Sequence, residues 1–245
     1  MKKKTFFTAL AMAGCIGLVG CGAGATASNE TTESKQTETT EEKASVIDYM
    51  VLVNKENALP DKWEDEVSLT KSTNSLGDEV QTESRAYDAY LELKKDLEAD
   101  GVYVDLDSAF RGVEAQKKIV EDFTKKYGET YVKQYVAVPG FSEHHTGLAL
   151  DLYLNIDGKD VYMNEDMVEY PEIWEKIHAK LADHGFILRY LEGKESVTGF
   201  NYEPWHIRYI DNVDLAKEIT EKGITLEEYL GKLPKGDVTP PKDTE

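Results

Sequence analysis

The sequence predicts an α+β fold, in which a small antiparallel sheet has helices packed mainly on one side. Helical and extended patterns alternate along residues 46–233 without an internal repeat, and a segment of that length can form one domain with a substantial core. A strand is clearest where every second residue is a leucine, since alternate side chains of a strand point to opposite faces. These core-facing positions are Leu148, Leu150, Leu152 and Leu154.

The first half of the domain predicts helix, strand and helix in turn. Apolar residues at helical spacing mark a helix over residues 86–97, with Gly101 as its stop. Residues 102–106 predict a strand. A second helix follows from Val113 and is expected to close at Gly128.

The second half repeats this mixture. Pro171 suits the first position of a third helix, because a proline there loses no helical hydrogen bond. Residues 187–190 and 205–210 predict short strands, and residues 213–221 predict a closing helix.

The amino terminus predicts export. Residues 1–20 resemble a secretory signal, with a lysine-rich start and an apolar run too short for a comfortable membrane span. The run ends in Leu-Val-Gly before Cys21, which resembles a bacterial lipobox and implies cleavage and lipid attachment at that cysteine. The alternative is an ordinary signal peptide with an incidental cysteine, and Cys15 is a weaker lipidation candidate.

Segments poor in large apolar residues flank the domain. Residues 21–45 are rich in Ser, Thr and Glu and predict a flexible tether, and residues 234–245 predict a loose tail. The domain itself is expected to span residues 46–233. Its localisation is predicted to be extracytoplasmic, as a lipoprotein anchored to a membrane of the bacterial cell envelope.

Charge and cysteine content exclude several functions. The chain has 28 Lys+Arg against 47 Asp+Glu, a net charge of −19, which disfavours nucleic acid and anionic lipid headgroups as partners. Membrane contact is therefore expected through the lipid alone. Cys15 would be removed with the signal and Cys21 lipidated, so no disulfide or cysteine-ligated metal site is expected in the domain.

Two separate segments carry the residues for a catalytic metal. In the first, Gly147 allows the loop holding His144 to bend back toward Asp151, which points away from the leucine face of its strand. A lone aspartate at such a position is more often solvent-facing, but the histidine and glycine at this spacing favour a ligand.

The second segment contains Glu203 and His206, separated by a proline. Pro204 makes a regular helix improbable, so both side chains reach one site only if the chain kinks. On spacing alone, a surface glutamate and a core histidine fit equally well. Two imidazoles and one carboxylate, however, suit a zinc ion with an open position, and a spare glutamate suits the base that such a site needs. The candidate ligands are thus His144, Asp151 and His206, with Glu203 as the candidate base.

A third group lies at a strand-to-helix junction. Arg111 can bind a substrate carboxylate through two parallel hydrogen bonds, although a surface ion pair is the simpler interpretation of this residue taken alone. Ser142 is equally compatible with substrate binding and with capping of its loop. His145 is expected to point away from the metal, and His178 and His184 are interpreted as structural.

Together these residues resemble the VanY-type D-alanyl-D-alanine carboxypeptidases, a family of zinc peptidases that includes the LdcB-like L,D-carboxypeptidases. The family pattern is S-x-H-x-x-G-x-A-x-D followed by E-x-x-H, and this chain has both parts in order, over a resemblance that extends through about residues 50–230. One departure is His145, where relatives often have Gln or Asn. The pattern corresponds here to Ser142, His144, Gly147, Ala149, Asp151, Glu203 and His206.

The resemblance implies a hedgehog/D-Ala-D-Ala-peptidase-like fold and Zn²⁺ bound by His144, Asp151 and His206. It also implies Glu203 as general acid/base. Arg111, helped by Ser142 and Gln116, would anchor the terminal carboxylate or a nearby carbonyl of a stem peptide.

The expected function is removal of the terminal D-alanine from peptidoglycan stem peptides by a zinc carboxypeptidase that acts as a monomer. Three alternatives remain open. They are an L,D-carboxypeptidase acting on tetrapeptide stems, a non-catalytic cell-wall-binding module, and a dipeptidase of free D-Ala-D-Ala.

Overall fold

The computed structural model describes residues 47–241, and its centre is a five-stranded antiparallel sheet. The strands are β1 (Leu69–Thr73), β2 (Glu79–Glu83), β3 (Tyr103–Ser108), β4 (Ala149–Ile156), β5 (Lys159–Val161), β6 (Phe186–Leu188) and β7 (His206–Tyr209). Four strands of the sheet lie in the order β3-β4-β7-β6, and β5 also pairs with β4, while β1 and β2 form a separate hairpin.

Some of the helices begin at residues whose side chains accept a hydrogen bond from one of the first backbone N–H groups. The side chains of Glu83 and Asn212 accept hydrogen bonds from Ala86 N and Leu215 N, and Pro171 begins its helix. The helices are α1 (Trp63–Glu66), α2 (Ser84–Ala99), α3 (Val113–Tyr135), α4 (Asn164–Met167), α5 (Pro171–Leu181), α6 (Glu195–Thr198), α7 (Val213–Lys222) and α8 (Leu226–Leu230).

The core lies against one face of the sheet, as the leucine alternation predicts. The four alternating leucines at 148, 150, 152 and 154 have no exposed surface and pack with the apolar faces of α2 and α5. A smaller cluster joins α7 and α8 to Ile187 of β6. The α+β fold with a small antiparallel sheet is therefore confirmed, and the opposite face of β4 is free for polar residues.

Helix α3 differs from the prediction that it closes at Gly128. The backbone leaves helical geometry there, at φ 86° and ψ 168°, and then resumes a helix as far as Tyr135. Only glycine adopts such a conformation without strain, so the residue marks a sharp bend and not an end. Beyond the bend the chain folds back, because Gln116 Nε2 donates to Ala137 O at 2.8 Å.

The predicted terminal segments lie largely outside the described residues. The signal peptide, Cys21 and the tether fall in residues 1–46, and the end of the tail falls in residues 242–245. Within the described part of the tail, Lys235 N donates to the Glu56 carboxylate at 3.1 and 3.2 Å. The domain boundaries stay predictions. No helix within residues 47–241 has the length and apolar character needed to span a bilayer.

Candidate active site

The polar face of the central sheet brings Asp151 and His206 together. They are register partners on the adjacent strands β4 and β7, so their side chains project from the same face, opposite the leucines. His144 lies in a 3-10 turn, Glu143–Thr146, that ends at Gly147. Gly147 has φ 71°, and a Cβ there would lie 3.2 Å from Glu83 N, so this tight turn requires glycine.

The three predicted ligands converge on one point. Their donor atoms lie within 4.8 Å of one another. His144 Nε2 is 3.1 Å from Asp151 Oδ2, and His206 Nδ1 is 3.0 Å from Asp151 Oδ1. The structure thus unites two segments more than fifty residues apart into one group of nitrogen and oxygen donors.

Hydrogen bonds on the far side of each imidazole fix which nitrogen faces the centre. His144 Nδ1 lies 2.8 Å from Ala109 O, a carbonyl that can only accept, so this nitrogen carries the hydrogen. His206 Nε2 lies 3.2 Å from the Glu143 carboxylate and carries its hydrogen in the same way. In the neutral rings, His144 Nε2 and His206 Nδ1 therefore present lone pairs to Asp151.

This arrangement of lone pairs around a carboxylate fits a cation. Asp151 Oδ1 is buried and accepts no hydrogen bond. Burial opposes its charge, but the neighbouring imidazoles hold the pKa of Asp151 well below its usual range. Burial likewise opposes charge on His206, yet Asp151 and Glu143 raise the pKa of that imidazole to about 9. The centre thus attracts positive charge, and two imidazoles with one carboxylate are donors that zinc prefers.

A buried ionic network supports His206 and was not predicted from the sequence. Glu143 Oε1 accepts from Arg189 Nε at 2.8 Å and from Arg208 Nη1 at 2.6 Å. Arg189 also forms a two-bond pair with Glu227, at 2.7 and 2.9 Å. None of these four side chains has exposed surface. Glu143, adjacent in sequence to the candidate ligand His144, therefore serves to hold the other histidine, His206.

Glu203 lies beside the three donors without joining them. Its Oε2 atom is 3.7 Å from His206 Nδ1, and the chain turns between them as His206 N donates to Glu203 O at 3.2 Å. The kink at Pro204 required by the prediction is thus present. Burial raises the pKa of Glu203 to about 8, against the opposing influence of His206. A carboxyl group with a raised pKa beside a metal site is suited to proton transfer.

Arg111 lies in the same cleft with its guanidinium held in place. Nη1 donates to Gln116 Oε1 and Nη2 to Ser108 Oγ, both at 2.9 Å. Each of these nitrogens has a second hydrogen, so the planar group retains two donors for a carboxylate. Both polar ends of Gln116 are engaged, with Arg111 and Ala137 O, so this residue orients the arginine.

The remaining predicted residues divide between the cleft and the scaffold. Ser142 lines the cleft, and its side chain makes no capping bond to the following turn. Asp107 lines it as well, and burial with the charge of Asp151 raises its pKa to about 6. Asp107 was not predicted as a site residue, although its place beside Ser108 and near Arg111 in the sequence was a usable signal.

The other three histidines contact the scaffold. His145 accepts from Gly140 N at 3.0 Å, and His178 Nε2 lies 2.9 Å from Pro204 O. His184 lies 3.0 Å from Asp96. None of them belongs to the group of donors around Asp151, in agreement with the sequence-based interpretation.

Comparison with known proteins identifies the family. Residues 79–212 match the family model described as VanY: D-alanyl-D-alanine carboxypeptidase. The chain belongs to this family. One curated relative, a putative carboxypeptidase YodJ from Bacillus subtilis, is 34% identical over 191 residues, which is 76% of this chain and 68% of the relative.

Solved structures of VanY-family proteins have the same fold. A mutant of the vancomycin resistance D,D-pentapeptidase VanY, crystallised in complex with Zn(II), has a TM-score of 0.62 and 32% identity. The alignment covers 74% of this chain and 98% of that one. The LdcB LD-carboxypeptidase has a TM-score of 0.58 and 32% identity, over 76% of this chain and 87% of its own. The similarity thus includes both D,D- and L,D-enzymes.

Proposed function

We propose that this protein is a zinc-dependent carboxypeptidase that removes the terminal D-alanine from peptidoglycan stem peptides. One observation carries the proposal: three converging candidate metal donors, a buried glutamate and an oriented arginine line a single cleft. A wall-binding module would need neither the lone pairs directed at one point nor a carboxyl group poised for proton transfer. The proposal is further supported by membership of the VanY family.

Zinc bound by His144, Asp151 and His206 would supply Lewis acidity, which activates water near neutral pH and polarises the scissile carbonyl. Glu203 takes the proton that the attacking water releases. The new C–O bond forms at the carbonyl carbon as the C–N bond breaks, and Glu203 returns the proton to the departing amine of D-alanine. Each turnover thus regenerates the Glu203 carboxylate, which can accept a proton again.

Arg111 determines where on the peptide this reaction occurs. A free carboxylate paired with the two remaining Nη hydrogens of Arg111 would place the last peptide bond, and no internal bond, beside Glu203. The cleft encloses about 230 Å³, which suits the end of a peptide and not a long internal segment. The arrangement therefore favours exopeptidase activity.

Digestion of purified muropeptides tests the proposed function. Pentapeptide stems should lose one alanine, tetrapeptide stems should persist, and a zinc chelator should abolish the reaction, as mass spectrometry can show. Shortening of tetrapeptides instead would identify an L,D-carboxypeptidase. Cleavage of free D-Ala-D-Ala alone would identify a dipeptidase, and absence of any product with zinc present would leave only a binding role.

Exchange of Arg111 for lysine tests the carboxylate clamp. A lysine keeps the charge but not the two parallel hydrogen bonds, so Arg111→Lys should lower kcat/KM for a pentapeptide by about 10- to 100-fold, mainly through KM. Arg85→Lys is a matched control, because Arg85 pairs with Asp211 at the surface. Equal kinetics for the Arg111→Lys variant and the wild type would exclude Arg111 as the clamp.

We propose in addition that the protein is an extracytoplasmic lipoprotein anchored through Cys21. The lipobox-like sequence before Cys21 and the Ser, Thr and Glu-rich segment after it support this localisation. Membrane fractionation tests it: the wild type should sediment with membranes, and the Cys21→Ser protein should not. Equal distribution of the two proteins would argue against the anchor.

A further inference from the structure

Four aromatic residues on α3 form a continuous cluster beside the cleft. Phe123 and Tyr127 meet edge to face, with ring centroids 5.4 Å apart. Tyr127 stacks on Tyr131 at 4.6 Å, and Tyr131 lies 4.8 Å from Tyr135. The bend at Gly128 brings the ring of Phe123 within 6.3 Å of Tyr131. We call Phe123, Tyr127, Tyr131 and Tyr135 the aromatic cluster.

The aromatic cluster does not belong to the described hydrophobic core. Neither buried apolar cluster of residues 47–241 includes a residue of α3, and the residues of this helix that are buried are Gln116 and Gln134. Tyr127 is 42% exposed, and the other three rings are half-buried. Because the four rings lie outside both clusters and are not fully buried, they leave apolar surface available to a ligand.

The aromatic cluster is continuous with the proposed catalytic cleft. Phe123, Tyr131 and Tyr135 line the cleft together with Arg111 and Glu203, whereas Tyr127 lies just beyond its lining. The rings therefore extend from the site of cleavage toward the outer surface. The cleft volume of about 230 Å³ is smaller than the roughly 300–1,000 Å³ typical of pockets for larger ligands. A peptide bound by its terminus must leave the cleft, and the aromatic cluster runs from the cleft lining to the exposed Tyr127.

From this geometry we infer that the aromatic cluster binds the part of the stem peptide that precedes the terminal D-alanyl pair. This inference rests on the proposed carboxypeptidase function and specifies its substrate: an extended peptide, preferred over a short one. The aliphatic side chains and amide planes of such a peptide pack well on aromatic faces, and tyrosine hydroxyls can bond its polar groups. Binding energy from these remote contacts would position the scissile bond.

Kinetics with two substrates test the inference. The two substrates are a stem pentapeptide and N-acetyl-D-Ala-D-Ala. The kcat/KM for the pentapeptide divided by the kcat/KM for the short substrate measures how much the residues before the terminal D-alanyl pair contribute to kcat/KM. The wild type should prefer the pentapeptide, and Tyr127→Ala and Tyr131→Ala should each reduce this ratio about three- to tenfold, chiefly through KM.

Controls separate binding from folding and from other ligands. Tyr103→Ala removes an exposed tyrosine of β3, outside the cleft lining, and should leave the ratio unchanged. The inference would be overturned if Tyr127→Ala and Tyr131→Ala both left the ratio unchanged, or if they lowered kcat/KM equally for the two substrates. Dependence on Tyr127 seen only with a disaccharide-pentapeptide would assign the rings to the glycan and also overturn it. If the wild type cleaves neither substrate, the proposed function itself fails, whereas cleavage without length preference refutes this inference alone.

Discussion

Exchange of Glu203 for glutamine is expected to lower kcat by about 10²- to 10⁴-fold while leaving the metal bound. Glutamine has the same shape but cannot accept a proton, and general acid–base catalysis contributes about 10²- to 10⁴-fold to such reactions. Because Glu203 is not among the three converging donors, Glu203→Gln should retain about one zinc per chain. Pentapeptide hydrolysis and metal content, measured on the same preparation, check both parts of the prediction.

Two comparisons make the Glu203 result decisive. Glu192→Gln alters an exposed glutamate on the segment leading to the site and should leave kcat and zinc content unchanged. His206→Ala should lose zinc and activity together. If Glu203→Gln retained near-normal kcat, the base would have to be another group, and Asp107 is a titratable carboxyl that lines the same cleft.

Two of the three candidate metal donors, His144 and Asp151, could be placed from the sequence because their spacing is a local property. The leucine alternation of β4 determines on which face Asp151 lies, and a glycine of φ 71° ends the turn that carries His144. His206 could not be placed by spacing alone, since its pairing with Asp151 depends on the register between β4 and β7. Its assignment required the chemistry of zinc and the resemblance to a family.

Some secondary-structure elements could not be predicted because their sequences have weak hydrophobic patterns. The β1–β2 hairpin consists largely of exposed or half-buried polar residues, so its strands lack the apolar alternation that marks a half-buried strand. At Gly128 the sequence indicated a break, but a helix stop and a helix bend have the same local signal. The aromatic cluster depends on that bend, so it could not be predicted either.

The buried ionic network that supports His206 could not be predicted from the sequence either. No sequence pattern distinguishes Arg189 and Arg208 from surface arginines, and their burial beside Glu143 and Glu227 appears only in the folded structure. Charged residues are almost never buried unless they are paired. A pairing between residues separated by 46 and 65 positions leaves no periodic signal.

The same network predicts that Glu143→Gln strongly destabilises the protein. Two buried arginines and two buried glutamates form the network, so loss of one carboxylate leaves an uncompensated positive charge in the interior. Breaking a buried pair in this way typically costs about 3–5 kcal/mol in the free energy of unfolding. Urea unfolding of the wild type and the variant, each with saturating zinc, measures this cost. Glu218→Gln, at an exposed helix pair with Lys222, should change stability by less than about 0.5 kcal/mol.

Glu143 should influence the metal as well as the fold. Its carboxylate accepts from His206 Nε2, and loss of such a partner to a ligating histidine typically lowers metal affinity by about 10- to 100-fold. Zinc affinity of Glu143→Gln, measured by competition with a chelator at a temperature where the variant is folded, should fall in that range. Unaltered affinity would mean that the strand register alone orients His206.

A double substitution distinguishes charge imbalance from lost packing. Arg208→Met combined with Glu143→Gln removes one charge of each sign and leaves the Arg189–Glu227 pair intact. If the uncompensated charge causes the instability, the double variant should be more stable than Glu143→Gln alone, because methionine fills much of the arginine volume without a buried charge. It should not recover the zinc affinity, since the acceptor for His206 Nε2 is still altered. A double variant as unstable as the sum of its two single substitutions would instead attribute the effect to packing and hydrogen bonds, with no role for charge balance.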